Sequence, residues 1–170
     1  MRVWSVLLIL PLSACMTVLP IEQIVLDAAQ TSAGGAPTQA APPREVAYAG
    51  SESFAVLLND ERGGLNLVAV VPEPRLTEAA QSHAEDMATN NYLSHTALDG
   101  SSAADRALEV GYDYTFIAEN IAQGFYSEQA VMEAWMNSPG HAANILDGRA
   151  EDFGLGLDGD TWVLMLGAER

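Results

Sequence analysis

The chain has 170 residues, 49% of them hydrophobic, with a mean hydropathy of +0.08, which suits one compact domain with appendages. Seven cationic side chains, all of them arginine, stand against 23 Asp and Glu for a formal net charge of −16. Such a field repels nucleic acid and anionic lipid headgroups while attracting metal cations and cationic peptides, so it argues against a nucleic-acid partner or a phosphate-binding surface; its ordinary consequence is solubility.

The N-terminus reads as a targeting segment. Arg2 precedes an apolar stretch from Val3 to Leu12, which is shorter than the roughly 20 residues that a membrane-spanning helix needs. Leu12-Ser13-Ala14-Cys15 resembles the bacterial lipobox, which implies a lipoprotein signal peptide over 1–14 and lipidation of Cys15, the only cysteine in the chain. With no second thiol, neither a disulfide nor a thiolate metal site is available. Met16 rather than Asp follows the cysteine. By resemblance to Gram-negative sorting rules, this implies the outer membrane, with the domain facing the periplasm and held to the membrane by its lipid anchor.

After the anchor, residues 16–27 are apolar, with Val18, Leu19, Ile21, Ile24, Val25 and Leu26, and they suit a short element against either the domain or the membrane. Residues 28–50 shift to Ala, Gly, Pro, Gln, Ser and Thr and lack the apolar periodicity needed to fold alone. The expected division is therefore a lipidated cysteine and flexible tether over 15–50 and a folded domain over 51–170. As a flexible coil, the ~23 residues of the linker span about 25 to 30 Å.

Within the domain, Phe54, Leu57, Leu58 and Glu61 recur at helical spacing before Gly63-Gly64 stops the run. A second helix is predicted over 73–90, opened by Pro72 and Pro74, with Leu76, Ala79, Ala80, His83, Ala84 and Met87 along one face and Asn90-Asn91 at its end. On that face His83 reads as a structural residue. A third helix is expected over 102–109, with Asp105 and Arg106 pointing outward and Gly111 as its stop. Ser127 can cap a fourth over 128–136, where Val131, Met132 and Trp135 form the apolar stripe and Pro139 ends the run. Two short apolar strands follow, over 153–157 and 162–166, joined by the turn residues Asp158-Gly159-Asp160. A calcium loop at those two aspartates lacks the required spacing. The sum is an α+β fold with helices covering a small sheet.

Asn59-Asp60-Glu61-Arg62, Ala80-Gln81-Ser82-His83-Ala84 with Met87, Ser94-His95, Glu119-Asn120, Ser138-Pro139-Gly140-His141 and Gly154-x-Gly156 with Trp162 stand in this order along the chain. Together they resemble the bacterial branch of the CAP superfamily, the group of cysteine-rich secretory proteins, antigen 5 and plant pathogenesis-related proteins. The resemblance implies an α-β-α sandwich, with helices on both sides of a small, mainly antiparallel sheet. It also implies a cleft that in the family holds two His and two Glu. His95, Glu119 and His141 match three of the four, while Ser138 stands where eukaryotic relatives carry the second glutamate, and Glu133 is too far along the helix to replace it.

Two imidazoles beside a carboxylate can bind a divalent cation, with zinc as the candidate and His95, Glu119 and His141 as its ligands. The absent fourth carboxylate argues against tight binding. Asn120 and Ser138 complete the expected ligand cleft, and Asn120 and Asn144 also suit a role in holding loop backbone. Trp135 and Trp162 read as core aromatics. Three functions follow. The first is a lipid-anchored binding module for an envelope peptide, lipid or wall fragment. The second is a hydrolase in which Ser138 or a metal-bound water attacks with His141 as base and Glu119 as its orienting partner, although neither Gly-x-Ser-x-Gly nor His-Glu-x-x-His is present. The third is a structural envelope protein.

Overall fold

The computed structural model describes residues 51–170. The expected signal peptide, the lipidated Cys15 and the tether lie outside the described residues. The elements run in the order α1 (Ser51–Gly63), β1 (Val71–Pro72), α2 (Pro74–Asn90), α3 (Ala103–Glu109), β2 (Tyr114–Gln123), α4 (Glu128–Met136), α5 (Pro139–Ile145), β3 (Asp152–Asp158) and β4 (Thr161–Glu169). The four strands form one sheet in the order β1-β3-β4-β2, antiparallel except for the short β1–β3 pairing. This is the α+β class expected, with helices on both faces.

Local chemistry sets the helix ends. Glu73 caps α2 through a bond from the Arg75 backbone, Pro74 opens it where no amide donor is needed, and Asn91 closes it in the left-handed region at φ 53° with its amide on the Met87 carbonyl. Ser102 and Asp105 form a reciprocal capping box at the start of α3, and Ser127 caps α4.

The strands alternate their side chains between two layers. On β4, Trp162, Leu164 and Leu166 join Phe54, Leu58, Val131, Trp135 and Ile145 in the core beneath α1, α4 and α5. Val163 and Met165 point the other way, into a second core with Leu76, Ala80, Ala84 and Met87 of α2. There β3 presents Gly154 and Gly156. A Cβ on Gly154 would sit 2.1 Å from the Leu76 carbonyl carbon, and one on Gly156 would sit 2.3 Å from that of Ala80. Glycine here lets helix backbone lie directly on strand backbone.

Two local expectations change. The segment around Glu119, for which no element was predicted, is the central part of a ten-residue strand, because Ile117 and Ile121 on one side and Ala118 and Ala122 on the other feed both cores. Pro139 does not merely end α4: it is the first residue of α5, where its fixed φ and missing donor are both suited.

Arg62 shows what the Asn59-x-x-Arg62 pattern does. It is fully buried, and its guanidinium donates to the carbonyls of Val68, Ile145, Asp147 and Ala150 at 2.8 to 3.1 Å. Asn59 bonds both the amide and the carbonyl of Val70. The pair pins the chain entering β1 to the turn leaving α5.

Candidate functional site

Glu119 and Asn120 are neighbours on β2 and therefore face opposite layers. Glu119 points to the side of α2, α3 and the 91–102 loop. One of its oxygens lies 2.8 Å from Nδ1 of His95, and the other accepts from Nη2 of Arg106 at 2.6 Å. The carboxylate side chain is 3% exposed and the guanidinium 7%, whereas His95 is 57% exposed. A buried charge needs a partner and full hydrogen bonding, and here the carboxylate has both. When the ring is neutral and its Nδ1–H is donated to Glu119, Nε2 is left as an acceptor.

The backbone of the His95 loop is gripped from behind. His83 Nε2 donates to the Ser94 carbonyl at 2.8 Å, and Arg106 Nη2 donates to the His95 carbonyl at 3.2 Å. His83 is buried, and its pKa is held below the ordinary imidazole value by desolvation first and by the Arg106 charge second.

Asn120 points toward α5. It is fully buried, its Nδ2 donates to the His141 carbonyl at 3.1 Å, and its Oδ1 accepts from Asn144 at 2.8 Å. Asn144 also donates to the Glu119 carbonyl at 3.2 Å. Asn120 thus positions His141 instead of presenting its amide to a ligand. His141 is partly buried on the first turn of α5, and burial, followed by the charge of His95, lowers its pKa, so it is neutral at neutral pH. Ser138 is the N-cap of α5, yet its side chain makes no capping bond.

This geometry does not fit the expected three-ligand zinc site. Glu119 spends both oxygens on His95 and Arg106 and stands behind His95 as its orienting partner. Among the described residues, no group of three or more His, Cys, Asp or Glu side chains is arranged to hold a metal ion.

Arg106 was expected to point outward. It is instead 6% exposed and holds the site together. Its position shares the stripe of Ala103, Ala107 and Val110, all of which pack into the α2-side core, and an i, i+3, i+4 reading of that stripe identifies it. Tyr112, whose hydroxyl donates to Asp152 at 2.7 Å in the core, was equally unmarked.

The fold and the site define a class: an α-β-α domain with two histidines from different layers near the β2 edge of the sheet, the ring of one bonded to a buried carboxylate and the backbone carbonyl of the other to a buried amide. The family model of the cysteine-rich secretory protein family, CAP, matches residues 56–162, and the chain belongs to that family. It is 32% identical over 128 residues to the uncharacterized protein YkwD of Bacillus subtilis, covering 74% of this chain and 49% of that protein. It is 38% identical over 81 residues to the uncharacterized membrane protein YlbC of the same organism, covering 48% of this chain and 23% of that protein. The chain therefore spans at most about half the length of these relatives. Among solved structures, it is similar to an extracellular SCP-domain protein of Bacillus anthracis, with a TM-score of 0.68 and 25% identity over 70% of this chain and 40% of that one. An outer surface protein of Borrelia burgdorferi shares the fold, with a TM-score of 0.64 and 23% identity over 71% of this chain and 96% of that one. Among the described residues, no helix is long and apolar enough to cross a membrane.

Proposed function

We propose that the protein is an extracytoplasmic binding module, anchored to the membrane by a lipid on Cys15, whose His95–His141 cleft takes an envelope peptide, lipid or wall fragment. In a Gram-negative cell the anchor places it on the periplasmic face of the outer membrane. The observation that carries this reading is the Arg106–Glu119–His95 relay, which holds an exposed imidazole in one orientation, while among the described residues neither His95 nor His141 is bonded to a hydroxyl that it could activate. The extracellular and outer-surface proteins with the same fold support the location.

The test is a titration of the protein, labelled with nitrogen-15 at histidine, with a short cationic peptide, a muropeptide and neutral phospholipid vesicles in turn. One of the three is expected to shift the His95 and His141 ring signals, and its binding is expected to disappear in the His95→Ala, His141→Ala double variant. Binding that survives this double change leaves the cleft a purely structural feature and overturns the reading.

A second reading, hydrolysis, has one observation in its favour. Ser138 carries an uncommitted hydroxyl three residues before a neutral His141 on the same helix. Turnover of a model ester that is abolished by Ser138→Ala would establish it.

A further inference from the structure

His83, on α2, is 1% exposed and is bonded to the loop that carries His95. Its Nε2 lies 2.8 Å from the Ser94 carbonyl, and because a carbonyl only accepts, that nitrogen carries a proton. In the neutral ring Nδ1 is then bare. This second nitrogen is buried and, among the described residues, has no hydrogen-bond partner. A bare ring nitrogen tolerates such a place, whereas an N–H there is a buried donor without an acceptor. The ring therefore suits the closed loop only while it is neutral.

The groups around the ring do not relieve a second proton. On α3, Arg106 is 6% exposed and permanently charged, and Glu109 stands exposed at the border of the same hollow. Glu119 on β2 has its two oxygens on His95 and Arg106. Asp86, one turn further along α2, accepts from Asn90 and Tyr92, whose ring lies edge-on to His83 at 6.3 Å. Asp99, in the loop, accepts from the Ser101 amide. Glu119 and Asp86 favour the imidazolium through space, yet neither is bonded to Nδ1. Desolvation, followed by the Arg106 charge, outweighs them and lowers the pKa of His83.

We infer that His83 is a pH-sensitive latch on the His95 loop: a second proton on its ring releases residues 91–102 from α2, and with them the contact between His95 and Glu119. Once the loop lifts, the ring meets water, and both the buried charge and the orphaned N–H are relieved. The open form binds the proton as an ordinary imidazole does, and the closed form binds it more weakly. Closure is therefore fully favoured above about pH 6.5 and is lost as the pH falls below it. Below that value the open population rises by up to about tenfold per pH unit. The consequence for a ligand rests on the function proposed for the His95–His141 cleft; the loop motion does not.

The experiment is backbone amide exchange of the full chain, without ligand, at pH 7.5 and pH 5.5, for the wild type and for His83→Gln, whose side-chain amide still donates to a carbonyl but takes up no proton. The Ala97 amide, bonded to the Ser101 carbonyl at 2.9 Å, reports the loop. Leu164, on β4 between β2 and β3, reports the sheet. After correction for the intrinsic effect of pH on exchange, protection at Ala97 is expected to fall by up to about tenfold in the wild type while Leu164 keeps its own. In His83→Gln both are expected to hold. Unchanged protection at Ala97 in the wild type, an equal loss in the variant, or a common loss at Ala97 and Leu164 overturns the inference. If His83→Gln does not fold, the wild type decides alone: the nitrogen-15 ring signal of His83 must pass from neutral to cationic over the range in which Ala97 loses protection, and a His83 that titrates while Ala97 stays protected overturns the latch. Because no ligand enters the measurement, its failure is distinguishable from failure of the binding function.

Discussion

The two faces of the sheet solve the packing problem by opposite means. Beneath α1, α4 and α5 the space is filled by large side chains, with Phe54 edge-on to Trp135 at 6.2 Å and Phe153 close by. Beneath α2 it is closed by removing side chains, so that Gly154 and Gly156 let the helix backbone settle on β3. A face of interdigitated side chains can relax when one is trimmed, but two apposed backbones cannot. The contrast teaches why the polar relay belongs to the second face: His83, on the helix fixed by those glycines, reaches the His95 loop, and Glu119 rises from the sheet on the same side.

The contrast can be broken most severely at the glycines. Gly154→Ala or Gly156→Ala drives a methyl into backbone at 2.1 to 2.3 Å, and loss of the cooperative thermal transition by circular dichroism is expected. On the other face Trp135→Ala leaves a large cavity that the neighbouring side chains partly close, for a loss of about 3–5 kcal/mol in denaturant unfolding. Arg106→Ala strands the buried Glu119 carboxylate and costs about 3 kcal/mol. Adding Glu119→Gln is expected to recover part of that loss, and a double-mutant cycle measures the coupling.

Acid sharpens the comparison further. His83 and His141 both have pKa values below the ordinary imidazole range in the fold, so between folded and unfolded values the unfolded chain binds more protons. Their contribution is therefore intact above about pH 6.5 and is lost as the pH falls below it. Denaturation at pH 7.5 and pH 5.5 is expected to show this drop, with His83→Gln reducing it. The smallest effect is expected at Glu133, exposed on α4 and bonded only to side chain and backbone of its own helix, where Ala changes stability by no more than about 0.5 kcal/mol.

The ends of α1, α2, α3 and α4, the hairpin of the last two strands and the fold class were all legible in the sequence because they depend on local signals: caps at Ser102 and Ser127, an αL asparagine at 91, a turn at 158–160. What was not legible depends on partners distant in the chain. The β2 strand carries Glu-Asn at its centre, a pair that reads as loop until the partners Arg106 and Asn144 are in place. Glu119 looked like a metal ligand because its commitment to Arg106, 13 residues away, is a tertiary fact. Arg106 itself was misjudged by residue type, since a cation on a short helix reads as solvated unless its stripe is followed.

The borders of the sheet carry one more consequence. At one side β1 is two residues long and ends in a proline, a poor template for an incoming strand. At the other, the open-side carbonyls of β2 at Glu119 and Ile121 already accept from the Asn144 amide and the Trp135 indole. Two copies meeting border to border would have to break these side-chain bonds before any intermolecular ladder could begin. The groups that fasten α4 and α5 to the sheet thus also guard against fibrous self-association when the domain is crowded.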